Sequence, residues 1–235
     1  MRRFYLLFMA LVCCAIGFAQ TARVQVIHNA ADPAAETVDI YLRVPAAGDT
    51  LLLLEDFGFR KASPYVSLPA ETPIEIVVAP GNSDSDADGI ATFDLNLTDE
   101  ATFAVMAHGV LDPSDFNALV NPDIGFTLTP ITPADTTASG SEVNVGVFHG
   151  VSDAPPVDVD AENAGLNLVN DLGYGEWQAF TQVPAGQFTL AVKSADSSST
   201  LSSYLADLTP FENQSLIVFA SGFVDPGSNQ GGEAF

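Results

Sequence analysis

The sequence predicts an all-β protein made of two tandem antiparallel β-sandwich domains. Three observations predict it. Apolar and polar residues alternate over short runs rich in β-branched and aromatic side chains, with turn residues at roughly eight- to twelve-residue intervals. No stretch sustains a helical period. Ala46–Phe57 is the best candidate for a short helix, and its run of four leucines also reads as a buried strand. Finally, the chain repeats itself with a period near 115 to 121 residues, taken from Phe57 to Leu172 and from His28 to His149. That is the length of a domain, too long for a solenoid unit.

The first element, 1–19, reads as a signal peptide. Arg2 and Arg3 precede an apolar run, Leu6–Phe18, and Gly17-Phe18-Ala19 offers small residues for cleavage after Ala19. The run is short for a membrane span, and no later segment approaches spanning length. The mature chain is therefore expected to be exported, secreted or at the cell surface, without membrane insertion. Both cysteines, Cys13 and Cys14, fall inside the signal. Disulfides, thiolate nucleophiles and cysteine zinc sites are thus excluded from the mature chain.

Seven Lys and Arg stand against 30 Asp and Glu, a formal net charge of −23. A phosphate-binding surface needs clustered cations, so nucleic acid is excluded as a partner.

The first domain is placed at 20–131, a linker at 132–142 and the second domain at 143–235. The linker sits in the Pro-, Thr-, Ser- and Gly-rich run Pro130–Ser141. The stretch VIHNAADPAAETVDIYL, Val26–Leu42, has a near copy in VFHGVSDAPPVDVDA, Val147–Ala161. Tyr65–Ala70 then matches Phe180–Ala185. Phe103–Pro113, FAVMAHGVLDP, matches Leu216–Pro226, LIVFASGFVDP. After Asp112-Pro113, the first repeat runs on to an apolar strand at Gly125–Pro130. After Asp225-Pro226, a Gly/Asn/Gln loop leads to Ala234-Phe235. The second domain is accordingly expected to lack its last strand, the sequence being either truncated or prone to dimerise through the open edge.

These residues carry a family resemblance. The His-x-x-x-Asp turn followed by Val-Asp, the Pro184-Ala185-Gly186 turn and the Gly-Phe-x-Asp-Pro stretch resemble DUF4397, an exported bacterial domain often arranged in tandem. Repeat one departs in inserting Glu36-Thr37 and in having Glu71 where repeat two has Gly186. The resemblance implies a β-rich secreted or surface module and transfers no activity. Without the cysteine pair and core tryptophan of immunoglobulin domains, the layout stays open between immunoglobulin-like and transthyretin-like.

Several residues are candidate sites. Val24, Val26 and His28 share parity, as do Val143, Val145, Val147 and His149, so each His closes an inward row at a strand end. Asp32 and Asp153 fall in the next turn, and Asp39 and Asp158 are expected to point outward, away from the core. The structural reading is that the His and the turn Asp hydrogen-bond to hold the first corner. A metal reading needs more ligands than one His per copy supplies, since His108 has Ser221 as its counterpart. A hydrolase using His28 with Asp32 lacks any nucleophile motif.

Asp84, Asp86 and Asp88, followed by Gly89, form the first half of a calcium loop whose closing Glu is absent, leaving a weak calcium candidate. Tyr174, Trp177 and Phe180 read either as core or as a sugar-stacking surface. The leading functional expectation is a non-enzymatic surface binding, adhesion or structural module whose partner is a protein or carbohydrate. The alternatives are a calcium-dependent carbohydrate-binding protein and the hydrolase.

Overall fold

The computed structural model describes residues 20–117, 123–131 and 137–235. The expected signal peptide at 1–19 and positions 132–136 of the expected linker lie outside the described residues. Among those described, the regular elements are strands joined by single 3-10 turns. The all-β reading holds.

The first half contains β1 (Thr21–Asn29), β2 (Thr37–Val44), β3 (Asp49–Gly58), β4 (Lys61–Ala62), β5 (Val66–Pro69), β6 (Ile74–Pro80), β7 (Ala91–Leu95), β8 (Thr102–His108) and β9 (Thr127–Ile131). One sheet runs β4-β1-β8-β9 with β5 also on β1, and the other runs β3-β2-β6-β7. The second half contains β10 (Glu142–His149), β11 (Val157–Ala161), β12 (Leu166–Leu172), β13 (Trp177–Pro184), β14 (Gln187–Ser194), β15 (Thr200–Asp207) and β16 (Ser215–Ala220). Its sheets run β13-β10-β16 and β12-β11-β14-β15. Each sheet of the second half thus follows one of the first, with β13 taking the places of β4 and β5 and with no counterpart of β9 among the described residues.

Pairing between named strands is antiparallel except once per half. β1 and β8 run parallel from Arg23↔Thr102 to Asn29↔His108, and β10 and β16 run parallel from Asn144↔Ser215 to His149↔Ala220. Strand parity decides what each face meets. Val24, Val26, Phe103 and Val105 point inward and meet Ile40, Leu42, Ile76 and Val78 of the facing sheet.

The opposite parity is also apolar. Ile27, Ala104, Met106 and Ile131 leave the back of the first sheet and meet Phe148, Trp177, Ile217 and Phe219 from the back of the corresponding sheet. The two halves therefore stack sheet on sheet. The signal for this is in the strands themselves. FAVMA in β8 is apolar at every position, as expected of a strand covered on both faces, and LIVFA in β16 is equally apolar although its Val218 is 39% exposed.

The helix candidate at Ala46–Phe57 is corrected: its residues from Asp49 onward belong to β3. The buried-strand alternative is corrected too, because β3 is an edge strand whose Leu51 and Leu52 are 59% and 41% exposed.

Candidate functional site

The repeated His-Asp motif sits at the first corner of each half. His28 is 1% exposed at the end of β1. Its Nε2 lies 2.7 Å from the Ala35 carbonyl oxygen, and the Ala30 N–H donates to Nδ1 at 3.3 Å. A carbonyl can only accept, so Nε2 carries the proton and the ring is neutral. His149 repeats this geometry with the Pro155 carbonyl at 3.2 Å and the Val151 N–H at 3.3 Å. Burial pushes both imidazoles below their ordinary pKa.

The turn carboxylates hold backbone and not the histidines. Asp32 accepts from Ala34 N–H and Leu111 N–H, both at 2.8 Å. Asp153 accepts from Val224 N–H at 2.8 Å, and from Asp225 N–H and Asn229 Nδ2 at 2.9 Å. Each carboxylate ties the opening corner of its repeat to the stretch just after the last long parallel strand. The two motifs that are distant in sequence form one joint.

Asp39 and Asp158 correct an expectation. They do leave the sheet away from the core, but they are only 3% and 2% exposed. Asp39 accepts from Asp56 N–H at 2.9 Å and from Ser83 Oγ at 2.6 Å. Asp158 accepts from Asp171 N–H at 2.8 Å and from Ser197 Oγ at 2.5 Å. Asp56 and Asp171 have φ of 49° and 52°, and the pairing register of β2–β3 and β11–β12 shifts beside them. The carboxylate thus pins a bulge whose donor residue is held in a left-handed conformation. The missed signal was the serine in each following hairpin, Ser83 and Ser197.

In the acidic loop, Asp88 turns back to accept from Asp84 N–H and Ser85 N–H, closing a capping box. The Asp86 carboxylate is paired with Arg43 Nε at 2.5 Å, and Arg43 also reaches Glu75 at 3.3 Å. Among the described residues, no three His, Cys, Asp or Glu side chains group as metal ligands. The charge that calcium would neutralise at Asp86 is already met by the guanidinium. Millimolar calcium is expected to leave the melting temperature unchanged, and a calorimetric rise lost in Asp86→Asn would contradict this.

His108, Tyr174 and Trp177 lie at the contact between the halves. His108 Nδ1 lies 3.1 Å from Tyr174 Oη and Nε2 lies 2.9 Å from Thr129 Oγ1, with the ring edge-on to Phe148 at 5.0 Å. Its counterpart Ser221 takes Arg60 instead, at Oγ (3.2 Å) and at the carbonyl (3.0 Å). Trp177 lies over Gly146, where a Cβ would come within 2.0 Å of the ring, and packs edge-on against Phe180 at 5.3 Å. Tyr174 and Trp177 therefore belong to the layer between the halves.

Burial lowers the His108 pKa to about 4 from 6.5. The unfolded chain then binds more protons than the folded one between those values. Stability is expected to be flat above pH 6.5 with respect to this group and to fall as pH drops toward 4, by about 3 kcal/mol in total. Denaturant unfolding from pH 7 to 5 checks this. A His108→Gln variant that keeps the full slope would contradict it.

Residues 143–229 match the family model of DUF4397, a domain of unknown function. The DUF4397 match spans β10 to the turn after β16 and so includes His149, Asp153 and Asp158. No curated protein matches the chain. The chain is similar at low identity to solved structures that include the following three. The Bacillus anthracis TIE protein is 10% identical over 88% of this chain and 34% of its own, with a TM-score of 0.27. This chain spans about a third of that protein's length. Family 41 carbohydrate-binding modules from streptococcal virulence factors, described for α-glucan recognition, are 12% identical over 88% and 95% of the two chains, with a TM-score of 0.26. A family 26 carbohydrate-binding module of Eubacterium rectale Amy13K, solved with maltoheptaose, is 11% identical over 87% and 94%, with a TM-score of 0.23. Similarity at this level carries no argument about ligand.

Proposed function

We propose that the protein is an exported, non-enzymatic module that acts by binding at the cell surface, in adhesion or as a structural element. One observation carries the reading. The His and Asp residues repeated in both halves are all engaged in holding backbone or hairpin serines, with the imidazoles buried and neutral. A histidine whose two nitrogens hold a carbonyl and an N–H has no free site for a substrate proton. Export is supported by the Arg2-Arg3 and Leu6–Phe18 pattern. Among the described residues, no helix is long and apolar enough to cross a membrane.

The test has two arms. Arrays of glycans and extracellular proteins, screened with and without calcium, are expected to yield binding, and a broad hydrolase panel no turnover. Turnover that disappears in His28→Ala would defeat the proposal. On the same reading, His149→Ala is expected to cost roughly 1–3 kcal/mol, because it leaves a buried carbonyl without its donor. Chemical denaturation measures that loss, and an undiminished midpoint would show that the corner does not need the ring.

A further inference from the structure

His108 faces away from the core of its own sandwich. Val105 and Ala107 point inward on β8, so Ala104, Met106 and His108 leave the back of the sheet. The residue is buried, and its cover comes from the second half. Phe148 stands edge-on to the ring at 5.0 Å and Tyr174 at 5.5 Å, and a Cβ on Gly175 would lie 3.5 Å from its Cε1. Parting the halves would therefore return this imidazole to water. His28 and His149 would stay where they are, because a carbonyl and an N–H of their own corner hold each ring.

The closed seam suits a neutral ring and not a charged one. Tyr174 Oη and Thr129 Oγ1 stand at its two nitrogens. A neutral imidazole donates from one nitrogen and accepts at the other, so one hydroxyl donates to it. The cation donates from both, and that hydroxyl must then turn its proton toward buried apolar neighbours. Among the described residues, the titratable groups that face His108 are Tyr174 and Asp123. Burial pushes the Tyr174 hydroxyl far above its ordinary pKa, so it supplies no compensating charge. Asp123, ahead of β9, favours the imidazolium, but it is exposed and does not offset the burial of the ring. Phe148, Gly175 and Thr129 bring no charge from the other elements packed there. Further polar ties across the seam run from Asn29 Nδ2 to Ala220 O at 3.0 Å and from Arg60 to Ser221, and these groups do not titrate between pH 4 and 7.

We propose that the contact between the halves is an acid-sensitive joint, in which protonation of His108 parts the two back faces while each sandwich stays folded. The closed seam holds the His108 pKa at about 4, and opening restores its ordinary value of 6.5. Linkage then fixes sign and size: opening is insensitive to this group above pH 7 and becomes about 50-fold more frequent from pH 7 to pH 4.5. Each opening bares Ile27, Met106, Phe148 and Phe219, apolar side chains that the closed seam packs together. Acid also removes carboxylate charge from a chain of net charge −23, which relieves repulsion and favours closure. The two effects have opposite signs, and a variant without the imidazole separates them. The joint is independent of what the module binds.

Thiol labelling tests this. Both cysteines fall within 1–19, so the chain from Gln20 onward reports through any single cysteine introduced into it. Ala104→Cys places the thiol in the seam, and Ala22→Cys places it in the core of the first sandwich; both positions are buried. The probe is a dipyridyl disulfide, which reacts with thiols in acid. Each labelling rate is divided by that of the same variant in denaturant at the same pH. The seam thiol is expected to label faster than the core thiol at pH 7 and at pH 4.5, and its normalised rate to rise between them by the factor given above. With His108→Gln added, that rise is expected to shrink at least ~10-fold, since the linked proton is gone. Met106→Cys, on the same back face and equally buried, takes the place of Ala104→Cys if that variant does not fold. Equal normalised rates at seam and core would overturn the proposal, because exposure would then come from global unfolding. So would a seam rate that does not rise in acid, or a full rise retained in His108→Gln.

Discussion

Phe148→Ala is expected to destabilise the protein by about 3–5 kcal/mol, the range for removing a fully buried aromatic ring. Phe148 is 0% exposed, yet it belongs to neither sandwich core. It leaves the back of β10 and packs among Ile27, Ala104, Met106 and Ile131 of the first half, edge-on to His108. Losing it opens a cavity that rigid sheets on both sides cannot close by collapse. The same substitution should uncouple the halves. Calorimetry is expected to give one transition for the unmodified chain and two for the variant, with the second half melting first because its open groove leaves apolar surface in water. A loss below ~1 kcal/mol, the size of an ordinary surface change, with a single transition retained would show that the layer between the halves is not a packed interface.

Asp153→Ala is expected to cost about 4 kcal/mol, since three donors to one charged acceptor lose their partner and each such bond is worth roughly 1.5–3 kcal/mol without full additivity. Val224 N–H, Asp225 N–H and Asn229 Nδ2 converge on that carboxylate, which joins the first corner of the second half to the stretch beyond β16. Asp32→Ala removes only two backbone bonds, to Ala34 and Leu111, and is expected to cost less. Hydrogen exchange resolves the mechanism. Val224 and Asp225 amides should lose protection in Asp153→Ala well before β10 does. Uniform loss across the half would mean that the carboxylate acts on global stability and not as a local joint.

The sequence by itself determined the repeat, the strand-rich class and the inward rows that end in His28 and His149. These depend on local period: side chains two apart share a face, whatever the sheet later meets. It also placed Asp32 and Asp153 in turns, where short carboxylates accept nearby N–H groups. The second partner of Asp32, Leu111, and a partner of Asp153, Val224, lie 79 and 71 residues away, and no local rule connects them. Asp39 and Asp158 have the parity of surface residues, and only the bulges at Asp56 and Asp171 and the loop serines bury them. Likewise Tyr174, Trp177 and His108 read as core or site according to which sheet covers them, and the tertiary structure decided for a seam between halves. Alternation states which way a side chain points. What stands on that side is a long-range contact, set by how whole sheets bury their remaining apolar faces against each other.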